Sequence, residues 1–421
     1  MRTNEEMIAA LRDLVRINSV AGVDVTPAAP YGKGAAQALE STLALCESLG
    51  MRTVNRDGQV GWAEIGEGDE MVGILVHLDV VPAGEGWDYP AYDLTETDGR
   101  LYGRGVTDDK GPAIASIYAM KDILDSGVQL KRRIRIIFGQ SEETGVWQDM
   151  EWYKAHEELP VFGFTPDADF PAIYGEKGIL CMEVSLPDSA TALEYIEGGD
   201  ASNMVPGWCR AALNGKDYET VGRAAHASTP EDGDSAITKM MALLAEEIPA
   251  DPLVSFYQKY VGSALNGENM GCALEDNKSG KLTMNVGTIR MRGDRIVMEI
   301  DVRNPVTFAP EAVIGPVEKA AAEFGLAVTV TENTAPVYMD KDGTVIRSLL
   351  EVYRAATGDD SGPTVIGGGT YARAMENIVA FGPMIPGREL TEHQKNEYIL
   401  REDLCKIREI YRAAMERLAD L

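Results

Sequence analysis

Cysteine is scarce in this chain. Five thiols (Cys46, Cys181, Cys209, Cys272 and Cys405) are scattered over 421 residues, and no two form a CxxC pair. That excludes a disulfide framework or a thiolate zinc site as the organising device. Histidine is scarcer still, with only His77, His156, His226 and His393. Positive charge is outnumbered: 39 Lys and Arg face 67 Asp and Glu, for a formal net charge of −28. So acidic a chain lacks the cationic footprint that a nucleic-acid backbone requires, so no nucleic-acid partner is expected. No stretch approaches the roughly 18 uninterrupted apolar residues of a membrane span, so no membrane partner is expected. The opening MRTNEEMIAALRDLVRI reads as an acidic amphipathic helix rather than a signal peptide, which predicts a cytoplasmic location.

What is present is a globular composition of 45% hydrophobic and 25% charged residues. The length predicts two domains. Helical periodicity covers 4–18 and 33–49, and two alternating runs around Asp57-Gly58 predict a hairpin. A strand over 72–80, a helix ending at Gly127 and a strand in RIRIIFG imply a parallel α/β sheet. The basic run KRRIRI at 131–136 reads as a half-buried strand with a solvated face. From 181 to 334 the pattern changes to alternating strands with helices at 234–247 and 311–325, which is α+β. The α/β character then returns. The expected fold class is α/β: a mixed, mainly parallel sheet with helices on both faces over 1–180 and 335–421, with an α+β domain inserted at 181–334.

One apolar stretch, GILVHLDVVP, carries His77 and Asp79 on the same face of a strand. Ligands of open α/β sheets gather at the carboxyl ends of strands. Each candidate strand end here supplies a polar group. His77 and Asp79 follow the first, Asp108 and Asp109 follow RLYGRGV, Glu142 and Glu143 follow RIIFGQ, and Asp167 and Asp169 follow VFGFTP. His393 lies on a late polar loop. Mixed imidazole and carboxylate ligation suits zinc, with cobalt or manganese as substitutes. Two bridged cations would use five such ligands and leave one carboxylate to take a proton from water. Glu142 and Glu143, as neighbours, suit that split.

The segments HLDVVPAGEGW, GRGVTDDKGP, SEETG, GFTPDADFP, GRAAHASTPEDGDSA and IGGGTYARAM together resemble the co-catalytic zinc metallopeptidases. That family includes carboxypeptidase G, succinyl-diaminopimelate desuccinylase, aminoacylase and the PepV-type dipeptidases, whose wording is the most similar. The resemblance implies two zinc ions per subunit. His77 and Asp167 would hold one, Glu143 and His393 the other, and Asp108 would bridge both; the peptide bond from Asp108 to Asp109 would be cis. It implies Glu142 as general base, and Asp79 as the group that orients His77. It makes the inserted domain a lid, in which His226 and Asn203 would stabilise the oxyanion. Arg303 and the loop of Gly368, Gly369 and Thr370, supported by Arg373, would receive the substrate carboxylate.

The activity implied is that of a zinc-dependent dipeptidase acting on a small peptide. The alternative is an N-acyl-amino-acid deacylase or desuccinylase with the same metal site. A catalytically dead scaffold would have lost Glu142 or a ligand, and none is missing. The insert reads as short for a PepV-type lid, which leaves monomer and homodimer both open, and with them whether His226 serves its own chain or a neighbour.

Overall fold

The computed structural model describes residues 3–421. The chain divides into two compact units. The first comprises 1–174, 339–364 and 370–421, the second 175–338 and 365–369. The sequence placed the boundaries at 180/181 and 334/335. The contacts put them at 174/175 and 338/339, and assign 365–369 to the second unit. Local patterning gave no sign of that short return, because five residues carry no period.

The first unit is built on a mixed sheet. Arg52–Asn55 and Gly61–Ile65 form the expected hairpin, with Asp57 and Gly58 at positive φ in its turn. Gly61–Ile65 runs antiparallel to Arg133–Gly139. Arg133–Gly139, Met71–His77, Phe162–Thr165 and Ile378–Ala380 are then parallel in that order. Every residue of Met71–His77 is buried, as expected of a central strand covered on both faces. Leu75, Ile137 and Trp62 pack with Met150 and Tyr153 of the helix Gln148–His156. On the strand's alternating partners pack the helices Lys110–Ser126 and Arg401–Ala419. Gly127 ends the first of these in the left-handed conformation, the usual glycine stop.

The basic run at 131–136 is less solvated than its alternation suggests. Arg135 is 4% exposed, lies over the Trp62 ring and bonds Glu64 at 2.8 Å, while Arg133 reaches the same carboxylate at 3.0 Å. The charges face Glu64 on the neighbouring strand, a partner that local sequence does not reveal.

The second unit holds a seven-stranded antiparallel sheet, in the order Lys216–Val221, Trp208–Leu213, Tyr195–Gly198, Thr283–Arg292, Arg295–Asn304, Gly178–Pro187, Ala327–Thr334. Alternate residues of Gly178–Pro187 are buried, and Leu180, Met182 and Val184 pack with Ile237, Met240 and Val317 of the helices Ala236–Glu247 and Glu311–Glu323. This is the α+β insert. All five cysteines are free thiols. No helix among the described residues is long and apolar enough to cross a membrane.

Candidate metal centre

The parallel register puts His77 beside Gly139 at the ends of their strands. The chain leaves the sheet there, earlier than the expected residue 80, although the Leu78 N–H still bonds the Gly139 carbonyl at 2.9 Å. This brings Asp79 beneath the turn that follows Gly139. Its carboxylate accepts the backbone N–H of Glu142 at 3.2 Å and of Glu143 at 3.1 Å. Asp79 also faces His77, the ring it is expected to orient. His77 Nδ1 meets the Asp79 backbone carbonyl at 3.1 Å, with the carboxylate farther off at 3.5 Å. Asp79 thus meets the ring through its carbonyl and its carboxylate, and the same carboxylate holds the Glu142-Glu143 turn.

Asp108 does not end a sheet-core strand. The strand there is only Arg100–Tyr102, in a small three-stranded sheet. Asp108 sits on an irregular turn before the helix Lys110–Ser126, and its peptide bond to Asp109 is cis. Its carboxylate lies between the two imidazoles: Oδ1 is 2.8 Å from His77 Nε2, and Oδ2 is 2.9 Å from His393 Nε2. His393 Nε2 is also 3.0 Å from Glu143. Asp167 follows the strand Phe162–Thr165 and comes within 3.9 Å of His77 Nε2. Ligand atoms of His77, Glu142 and Asp167 all lie within 4.8 Å of one another, as do those of His77, Asp108 and Glu143. Glu142 is thus as close to the cluster as a ligand would be.

The charges ask for a cation. Burial pushes Glu142, Glu143 and Asp167 above the ordinary carboxylate range, and neighbouring carboxylates push them further. Asp108 falls below it despite burial, because His393 and His77 bond to it. Hydrogen bonds to Asp108 and Glu143 push His393 up to about 11. Burial lowers His77, but Asp108, Asp167 and Asp79 more than reverse this. A divalent cation relieves such crowding of buried carboxylates and displaces protons from its ligands when it binds. Glu143 Oε1 is buried with no hydrogen-bond partner among the described residues. An acidic, imidazole-bearing cluster with an orphaned carboxylate oxygen fits a divalent metal.

Residues outside the sequence reading hold this arrangement. Asp149 accepts the N–H of Gln140 at 2.6 Å and of Ser141 at 3.1 Å, just before Glu142, and takes the Tyr371 hydroxyl at 2.6 Å. The Trp147 indole donates to the Glu142 carbonyl at 3.0 Å. Glu397, four residues after His393, binds the Asp108 turn. Its place in HQKNEY beside a candidate ligand was the one available signal.

Thr370 and Arg373 belong to the first unit. Thr370 is buried and caps the short turn Tyr371–Ala374, which carries Arg373. The other expected residues lie in the second unit, which brings most of them together. His226 Nδ1 accepts the Ser228 N–H at 3.2 Å and lies 2.7 Å from its hydroxyl. A backbone N–H can only donate, so the neutral ring carries its proton on Nε2. Burial and the Arg303 charge keep the ring's pKa below its ordinary value. The Asn203 carbonyl accepts the Ala227 N–H at 2.9 Å. Gly367 packs so closely on Ser228 that a Cβ would come within 2.5 Å of it. Gly368 and Gly369 continue that loop. Arg303 is 4% exposed and already engaged: it forks onto Asp301 at 2.7 and 2.8 Å and donates to the Gly367 carbonyl at 2.9 Å. Asp301 shares a strand face with Arg303, a spacing of two that the sequence reading missed.

The family model described as peptidase family M20/M25/M40 matches residues 73–417. The chain belongs to this family. It is a hydrolase of peptide bonds. "Putative dipeptidase YtjP" of Bacillus subtilis is 35% identical over all of this chain and 98% of its own length. Human carnosine dipeptidase 1 shares the fold at a TM-score of 0.66 and 19% identity, with 99% of this chain and 97% of that one covered. The YxeP protein of Bacillus subtilis, described as a dinuclear metal binding peptidase of the family, matches at 0.57 and 14% identity over 99% and 98% of the two chains.

Proposed function

We propose that this peptidase is a dipeptidase dependent on two divalent cations, zinc in the first instance. The observation that carries the reading is Asp108, whose two carboxylate oxygens face His77 and His393. His77 and Asp167 would hold one cation, Glu143 and His393 the other, with Asp108 shared. When bound, such a pair polarises the scissile carbonyl and lowers the pKa of a water.

The chain's own groups do the rest. Glu142 takes the water's proton at its carboxylate and delivers it to the leaving amine. Its place in the cluster with His77 and Asp167 suits it to hold that proton between the two steps. The inserted domain acts as a lid. His226 donates its Nε2 proton to the carbonyl oxygen as that oxygen gains charge, in its own chain or in a partner copy, and Asn203 assists. The substrate carboxylate is received by Gly368, Gly369 and Thr370, with Arg373 beside them. Arg303 braces that loop through Gly367 and has N–H groups left to donate.

Hydrolysis of a panel by zinc-reconstituted protein tests the reading: several dipeptides, one tripeptide, and N-acetyl and N-succinyl amino acids, with a chelated control. Chelator-sensitive cleavage confined to dipeptides is expected. Cleavage of the acylated compounds with dipeptides untouched would overturn the substrate class and move the chain to the deacylases.

A further inference from the structure

Asp108 and His393, whose separation defines the second cation site, both lie on irregular backbone. Asp108 is on the turn between Arg100–Tyr102 and Lys110–Ser126, and His393 is on the loop before the strand Tyr398–Leu400. Neither is held by a sheet core, as His77 is. One fully buried carboxylate, Glu397, joins the two segments. Its Oε1 accepts the backbone N–H of Thr107 at 2.9 Å and of Asp108 at 3.3 Å. Its Oε2 accepts the N–H of Gly105 at 2.9 Å and a guanidinium N–H of Arg104 at 2.8 Å. All four contacts run from the Asp108 turn to the loop that carries His393. Gly105 stands at φ +84°, a conformation that lets successive N–H groups converge on one acceptor.

We propose that Glu397 is a positioning residue for the cation held by Glu143 and His393. By gathering the Asp108 turn against the His393 loop, it sets the 2.9 Å approach of Asp108 to His393. The inference rests on the two-cation reading above. It adds an asymmetry to that reading. His77 and Asp167 are delivered by strands of the central sheet, so the first cation depends on Glu397 less than the second.

Glu397→Gln is the test. The carboxamide keeps the size but offers one acceptor oxygen, and its NH2 then confronts N–H donors. Metal-free wild type and E397Q are titrated with Co2+ by calorimetry and by the visible absorption of the bound ion, and kcat and KM are measured. Wild type is expected to bind in two steps. E397Q is expected to keep the first within about threefold and to weaken the second by about ten- to a hundredfold. Its kcat is expected to recover with excess metal at unchanged KM.

Equal weakening of both steps, or two steps like those of wild type, would overturn the positioning role. A wild type without two steps would instead overturn the underlying site reading, and the inference with it. Should E397Q fail to fold, Asn396→Gly loosens the same loop from outside. Asn396 is clasped to Asp88 at 2.7 and 2.8 Å and sits at φ 60°, which glycine keeps. The same selective loss is expected, of about three- to tenfold, a fraction of the effect of changing Glu397 itself. Unaltered titration steps in N396G would overturn the proposal.

Discussion

Glu142 and Glu143 are neighbours held by the same Asp79 carboxylate, yet they have different tasks. Glu143 meets His393, whereas Glu142 shares a 4.8 Å cluster with His77 and Asp167. Two roles for Glu142 are therefore within reach, base and ligand, and one variant separates them. Glu142→Ala is expected to lower kcat by about a thousandfold or more, in line with loss of a general base. Metal analysis is expected to find both cations in place. Loss of one cation would make Glu142 a ligand instead. At His226 the question is electrostatic. Ser228 fixes the proton on Nε2, so the side chain donates while neutral. His226→Ala is expected to reduce kcat by about a hundredfold or more, the loss typical of one oxyanion donor, with metal content unchanged. Equal kinetics would remove His226 from the reaction.

At the scale of elements, the cluster depends on where strands stop. Gly139 ends its strand against the Tyr371 ring, where a Cβ would lie 2.1 Å from the hydroxyl oxygen. That hydroxyl is the one bound to Asp149, which braces Ser141. Gly139→Ala is expected to cost about 1–3 kcal/mol by overpacking, measured by urea unfolding of the metal-free chain. It is also expected to lower activity, since the Glu142 turn moves with the ring. Wild-type stability would show that the ring has room to yield. The sequence made such elements legible wherever burial is periodic. Met71–His77 and Gly178–Pro187 announce themselves by apolar runs and alternation. Some helix ends were overrun, by three residues at 4–18 against Asn4–Val15 and by two at 311–325 against Glu311–Glu323. The Asp108 turn was misread as a strand end for a different reason. Its shape is set by Glu397, 289 residues away, and no local period encodes such a partner. Asp149 escaped likewise, since its Tyr371 partner lies 222 residues away, whereas the spacing of two between Asp301 and Arg303 was legible and was missed.

At the scale of the whole molecule, an excess of negative charge invites a general explanation for any effect of cations. A chain of net charge −28 gathers counterions diffusely, and salt of any kind relieves part of its self-repulsion. The site predicts something narrower. His77, Asp108, Glu143, Asp167 and His393 converge from five parts of the sequence that are far apart in the unfolded chain. A pair of cations that divides these ligands between them binds only the folded state. Binding at a hundred times Kd then adds about 2.7 kcal/mol to stability. Metal-free protein is expected to gain several degrees in Tm on addition of Co2+ or Zn2+, saturating at two equivalents. Sodium chloride at equal ionic strength is expected not to reproduce the gain. His77→Ala combined with His393→Ala removes both imidazoles and leaves every carboxylate and the formal net charge of −28 in place. This variant is expected to keep the response to sodium chloride and lose the response to the divalent ions. If it still gained as wild type does, the stabilisation would belong to the acidic surface, and the convergence of these five residues would need a different explanation.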